Sequence, residues 1–209
     1  VDLEFERFDF EGEPAIRVRV PTQRRDIASL TGQLEEALRF DTATGLLKRA
    51  SFKEQATAHA AHMLKAGLRA VVYFEPDKAA ALESELGPLA LEDVMDELGV
   101  QLRTQLQPGD IAGRVSARGF AVLAERGNAR DLDAWVTRIL QRIAEHVFQV
   151  GEHRLVTISC SAGATACNSQ GDVLAAPLES SVKAARAAAA AGGDRLLRPE
   201  PAGDAPDVE

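Results

Sequence analysis

The stretch from Ile111 to Leu123 constrains the fold of this chain more than any other. Ile111-Ala112 and Phe120-Ala121-Val122-Leu123 are apolar runs of strand length, and the residues between them, centred on Ser116-Ala117-Arg118-Gly119, are small or polar. That arrangement predicts two short strands joined by a tight turn. A tip of small residues lets backbone approach a ligand closely. A second run, Leu68-Arg69-Ala70-Val71-Val72-Tyr73-Phe74-Glu75, is almost continuously apolar, the pattern of a strand covered on both faces at a sheet centre.

Helical periodicity fills the intervals. Ile27, Leu30, Leu34 and Leu38 recur at three and four residues, so 22–40 reads as a helix, either lying on its own domain or forming a short coiled-coil linker. Further helices are expected at about 51–66, 89–106, 130–147 and 177–191. The third of these turns Leu132, Trp135, Val136, Ile139, Leu140 and Ile143 inward, and the last exits at Gly192-Gly193. Strands are expected at 147–150 and 154–166. Before all of these, 3–10 and 15–20 alternate around Glu11-Gly12-Glu13-Pro14, predicting a hairpin with one face for burial. Two strands alone are marginal in water, so this pair is expected to belong to a larger sheet.

With 209 residues and 45% hydrophobic content the chain can build a real core. Its formal charge of −8 and the lack of a basic cluster argue against a nucleic-acid partner. Cys160 and Cys167 match neither a disulfide framework nor paired metal knuckles and are expected to be reduced cytosolic thiols. No run of about 18 apolar residues suggests membrane insertion. The chain opens on Val1, and a fragment of a longer protein is expected.

The hairpin residues Arg114-Val115-Ser116-Ala117-Arg118-Gly119-Phe120 resemble the signature of the GGDEF (diguanylate cyclase) family, in which an arginine, one residue, Gly-Gly, two acids and Phe precede an apolar strand. Arg114 and Phe120 stand in frame; both acids are missing. Asp41-Thr42-Ala43-Thr44-Gly45-Leu46-Leu47-Lys48-Arg49-Ala50-Ser51-Phe52 is similar to the family's Asp-x-Leu-Thr-Gly-Leu-x-Asn-Arg-x-x-Phe, with Ala43 and Lys48 as the departures. Thr157-Ile158-Ser159-Cys160-Ser161-Ala162-Gly163 is close to its Ser-x-Gly strand. The resemblance spans 41–197 and implies an α/β fold of the nucleotidyl-cyclase palm type, a mainly antiparallel central sheet flanked by helices. The turn before Pro14 resembles the last hairpin of a PAS sensor domain, so 1–21 is expected to be a PAS-like remnant, 22–40 a signalling helix through which a homodimer could form, and 198–209 a flexible tail. Gly192-Gly193-Asp194-Arg195 is similar to the ending of members that continue into an EAL domain, an order found in regulators of type IV pili and twitching motility.

The family condenses two GTP molecules with metal ions held by carboxylates. By resemblance, the metal acids would be Glu75 on the central strand and the hairpin positions, which here are the vestigial Arg118 and Gly119. Phosphate-binding lysines are replaced by Ala80 and Ala189. Glu83 and Glu92 stand at the guanine-reading positions, otherwise as solvated helix residues. The inhibitory Arg-x-x-Asp is incomplete, with Gln107 before Asp110, and its guanidinium is missing. The expectation is therefore an inactive domain with no catalytic residue, no metal and no cofactor, serving as a signalling and interaction module; the alternatives are a GTP sensor without turnover and a weak cyclase. Arg118 is expected to fold toward Glu75 and Asp77, a cation at the vacated metal position. His59 and His62, at i and i+3 without a third ligand, are expected to be surface histidines.

Overall fold

The computed structural model describes residues 4–10, 12–19, 32, 34, 36–151, 153–167 and 173–199. The chain divides into two compact units, Val1–Leu38 and Arg39–Glu209. In the first, β1 (Glu4–Phe10) and β2 (Glu13–Arg19) form the expected antiparallel hairpin, Phe5 opposite Val18 and Phe10 opposite Glu13. Among the described residues its apolar side chains are not buried: Phe5, Phe10, Ile16 and Val18 all stay exposed. Of the expected helix at 22–40, residues 22–31, 33 and 35 lie outside the described residues; 32, 34 and 36–39 are helical, with Leu38 exposed.

The second unit is an α/β fold. A short β3 (Leu47–Lys48) leads into α1 (Arg49–Ala60), and the central strand β4 (Leu68–Pro76) follows. Next come α2 (Ala79–Leu86), α3 (Pro88–Thr104), and the hairpin strands β5 (Ile111–Ser116) and β6 (Gly119–Arg126). The chain closes with α4 (Ala129–Glu145), the ribbon β7 (Phe148–Val150) and β8 (Arg154–Val156), then β9 (Cys160–Ala166), α5 (Ala175–Ala190) and β10 (Leu196–Leu197). The sheet order is β10-β9-β4-β6-β5-β3; β4 is antiparallel to both neighbours, and only the two-residue edge strands pair in parallel.

Alternation along the strands divides the core. Val72, Phe74, Phe120 and Val122 face α3 and α4, where they meet Met95, Leu98, Trp135 and Ile139. Val71, Tyr73, Ala121 and Leu123 face α1 and α5, against Phe52, Ala56 and Ala185. Because β4 is covered on both sides, its sequence shows no alternation of polarity.

Three boundaries differ from the sequence expectation. The first helix ends at Ala60, where Arg69 donates from Nη1 to the carbonyls of Ala60 (2.9 Å) and His62 (2.7 Å), caps the last turn and is itself held by Glu125. The helix expected at 89–106 is α3, but a second helix, α2, precedes it, and the two meet at Gly87 with φ of 89°, a conformation glycine adopts without steric cost. The expected strand at 154–166 is likewise two, β8 and β9, which lie in different sheets.

Candidate functional site

The turn of the β5–β6 hairpin brings together residues from β4, α2 and α3. Register places Ser116 opposite Gly119 with an irregularity after Arg114, leaving Ala117 and Arg118 at the tip. Arg114, mostly buried, does two jobs. Its Nη2 donates to the Ala117 carbonyl (3.0 Å) and holds the turn; its fork grips both oxygens of Glu92 on α3 (2.6 and 2.7 Å), and Nη1 reaches Asp96 (3.2 Å). Hydrogen bonding from Arg114 holds the Glu92 carboxyl below its usual range, and the same bonds raise the arginine.

Arg118 does not turn toward Glu75 and Asp77 as expected. Its Nη2 donates to Glu83 Oε2 on α2 at 2.7 Å. Each of the two acids has other partners. Glu75 accepts from the Tyr73 hydroxyl (3.3 Å) and lies 3.8 Å from Arg186 of α5. Asp77 is buried and accepts from the hydroxyls of Ser159 (2.7 Å) and Ser161 (2.6 Å) and from the Asp194 N–H (2.8 Å), tying the end of β4 to β9 and to the turn after α5. Gly193 is needed there, since a Cβ would lie 2.6 Å from Asp77 Oδ2. Glu83 and Glu92, which the sequence leaves as solvated residues, are thus ion-paired to the two arginines of the hairpin.

Gly119, which the resemblance aligns with the second signature acid, has an environment set by a residue far away in sequence. A Cβ at 119 would lie 1.9 Å from the Tyr73 hydroxyl and 2.2 Å from Cζ, so the buried phenol fills the side-chain space of that position. Burial, aided by the neighbouring Glu75 carboxylate, pushes the phenol's pKa up, and its hydroxyl also shares a hydrogen bond with Ser116 Oγ (3.2 Å).

Before the hairpin, Asp110 takes a paired fork from Arg126 at 2.7 and 2.8 Å and the Gln107 N–H at 2.8 Å. Arg126 also stacks 4.1 Å from the centre of the Trp135 ring. Gln107 itself borders an open groove with Arg126 and Trp135. The guanidinium beside Asp110 is therefore one that the spacing of the Arg-x-x-Asp motif does not reveal, because β6 delivers it from 16 residues downstream. His59, expected at the surface, is half-buried and pairs with Glu125 at 3.0 Å. Among the described residues no group of three His, Cys, Asp or Glu side chains is placed to hold a metal.

The Glu92 pairing sets a pH dependence. A carboxyl whose folded pKa lies below its ordinary value of 4.5 stabilises the fold fully above that pH and loses its contribution as pH falls through the lowered value. Asp96 opposes it, since burial, with Glu92 beside it, raises its pKa. Thermal melts from pH 6 downward should therefore show a loss of stability below about 4.5 that is shallower in Glu92→Gln. Identical acid limbs in the two proteins would contradict this assignment.

The family model described as diguanylate cyclase, GGDEF domain, matches residues 38–195. The cyclic di-GMP phosphodiesterase NbdA of Pseudomonas aeruginosa is 24% identical over 127 residues, which is 60% of this chain; the chain spans only 16% of that relative's length. Among solved structures, the FimX GGDEF domain of P. aeruginosa superposes with a TM-score of 0.68 at 19% identity, over 77% of this chain and 98% of that one. The coiled coil and GGDEF domain of DgcB from Caulobacter crescentus, in complex with c-di-GMP, gives 0.73 at 16% identity, over 83% and 92%. No described helix is long and apolar enough to cross a membrane.

Proposed function

The chain belongs to the diguanylate cyclase GGDEF-domain family, and on that premise we propose that it is a member without cyclase turnover, used as a signalling and interaction module in cyclic di-GMP signalling. The observation that carries this reading is the pairing of the two hairpin arginines with the two acids at the guanine-reading positions, Arg118 with Glu83 and Arg114 with Glu92. A base entering there would have to break two guanidinium–carboxylate bridges.

The donor set fits magnesium poorly. Glu75 remains, but the hairpin positions Arg118 and Gly119 add no carboxylate to it, and the cation beside Glu75 is Arg186 at 3.8 Å, whose charge opposes that of a metal ion. Of the inhibitory pair, Gln107 offers no cation, and Asp110 is already satisfied by Arg126. The setting we propose is a cytoplasmic multidomain protein of the FimX type, with a PAS-like domain before residue 22, a dimerising helix at 22–40 and an EAL domain after the tail; the likeness to the FimX GGDEF domain supports it.

The test is incubation of the chain with GTP and Mg²⁺, chromatography for cyclic di-GMP, and a thermal melt of the same mixture. No product and no shift are expected. A rise in melting temperature without product would replace this reading with a GTP sensor, and product would replace it with a weak cyclase. Restoring the signature by Ser116→Gly, Ala117→Gly, Arg118→Asp and Gly119→Glu is expected to give no activity while Tyr73 is present, because its phenol occupies the side-chain space of residue 119.

A further inference from the structure

The face of the sheet that carries Tyr73 holds a cleft of about 540 Å³ between α1 and α5. Its floor is Phe52, Tyr73 and Val115, all buried, and Leu174, Leu178 and Val182 line the α5 side. The cleft is within the size of sites that take small molecules.

The cleft has a polarity along its length. Arg49 begins α1 directly after β3, whose Lys48 pairs with Arg114 of the hairpin, so Arg49 lies at the hairpin end, and Lys53 is one turn further along. Arg186 reaches the same end, since it approaches Glu75. Three cations therefore border the end near Ser116, while Leu174 and Leu178 lie two to three turns back along α5. Glu179, the acid that lines the cleft, is engaged by Lys183 at 2.8 Å. Glu75, beside Arg186 at 3.8 Å, also accepts from the Tyr73 hydroxyl and lies outside the lining, so the cations at this end outnumber the acids. A chain with a formal charge of −8 has thus gathered an excess of positive charge at one end of an apolar cleft.

We propose that this cleft binds an amphipathic monoanion, an aliphatic carboxylic acid, with its headgroup among Arg49, Lys53 and Arg186 and its alkyl chain over Phe52, Leu178 and Val182. The apolar part supplies affinity in proportion to the area removed from water, and the guanidinium groups supply the selection for a carboxylate. A neutral alcohol of the same length should lack the second contribution. This inference is independent of whether the domain turns over GTP.

The probe is decanoate, titrated into the full chain below its aggregation concentration and followed by calorimetry and by methyl chemical shifts. Saturable binding is expected, with the largest shifts at Leu174, Leu178 and Val182 and with decanol at least about tenfold weaker. Arg186→Glu and Lys53→Glu, both at exposed positions, are each expected to weaken decanoate about tenfold while leaving decanol unchanged. Val182→Trp, which fills the cleft, should abolish both, and circular dichroism confirms that each variant is folded. The proposal is overturned by absence of saturable binding, by shifts centred elsewhere, or by decanol binding as tightly as decanoate. It is equally overturned if the two charge reversals leave decanoate affinity unchanged.

Discussion

Gly163→Val unfolds the α/β unit. A Cβ at this position would lie 2.0 Å from the Ser181 carbonyl oxygen, 2.6 Å from the Ala185 nitrogen and 2.9 Å from the Ala184 Cβ. The first two are helix backbone, so no side-chain rotation relieves the clash, and α5 must lift away from β9. The rest of the interface depends on that close approach. Ala184, Ala185 and Ala188 are buried, and the Ser181 hydroxyl sits 2.9 Å from the Val71 carbonyl and 3.0 Å from Thr165 Oγ1, contacts that a lifted helix loses. Gly163→Ala, carrying the Cβ alone, should cost about 3 kcal/mol, and valine more than about 4 kcal/mol, within reach of the whole stability of an ordinary domain. Urea titration of the full chain measures it. An alanine variant within about 0.5 kcal/mol of the parent would contradict this packing.

The second large effect is at Asp110, which the family resemblance places in an incomplete inhibitory motif. Its carboxylate and the Arg126 guanidinium are almost fully buried, with side-chain exposures of 2% and 5%, and Arg126 Nε has no hydrogen-bond partner. Removing the acid leaves an uncompensated buried cation over Trp135, so Asp110→Ala should destabilise by about 3–5 kcal/mol. Removing the charge as well should recover much of this, because an apolar pair of similar volume requires no desolvated ion. Asp110→Leu combined with Arg126→Met is therefore expected to be more stable than either single change, and a double-mutant cycle from denaturant melts measures the coupling. Additive losses would show that Asp110 and Arg126 act separately. The position thus has a structural role whether or not a nucleotide ever reaches it.

Most of the fold was legible because its causes are local or periodic. The continuous apolar run at 68–74 places β4 at the centre of the sheet, and the spacing from Leu132 to Ile143 gives α4 its buried stripe. The hairpin was legible from its two apolar runs and small centre. Breaks within apparently continuous elements were less so. The helix at 79–86 ahead of Gly87 was not among the expected elements, and the separation of β8 from β9 into different sheets depends on which partner each finds, a long-range choice that local propensity does not encode.

The candidate site divides in the same way. The resemblance read from the sequence puts Arg118 and Gly119 at the positions of the signature acids and takes Glu75, Glu83, Glu92 and Asp110 as acids at the remaining positions. Tertiary structure decided which charges meet: Arg118 takes Glu83, Arg114 takes Glu92, and Asp110 receives Arg126 from the following strand. It also showed that the empty side-chain position of Gly119 is filled by Tyr73. The physical reason is one of range. Backbone propensity and hydrophobic burial leave a regular imprint on neighbouring residues, whereas an ion pair between flexible side chains is settled only when folding brings separate elements within a few ångströms and excludes water between them.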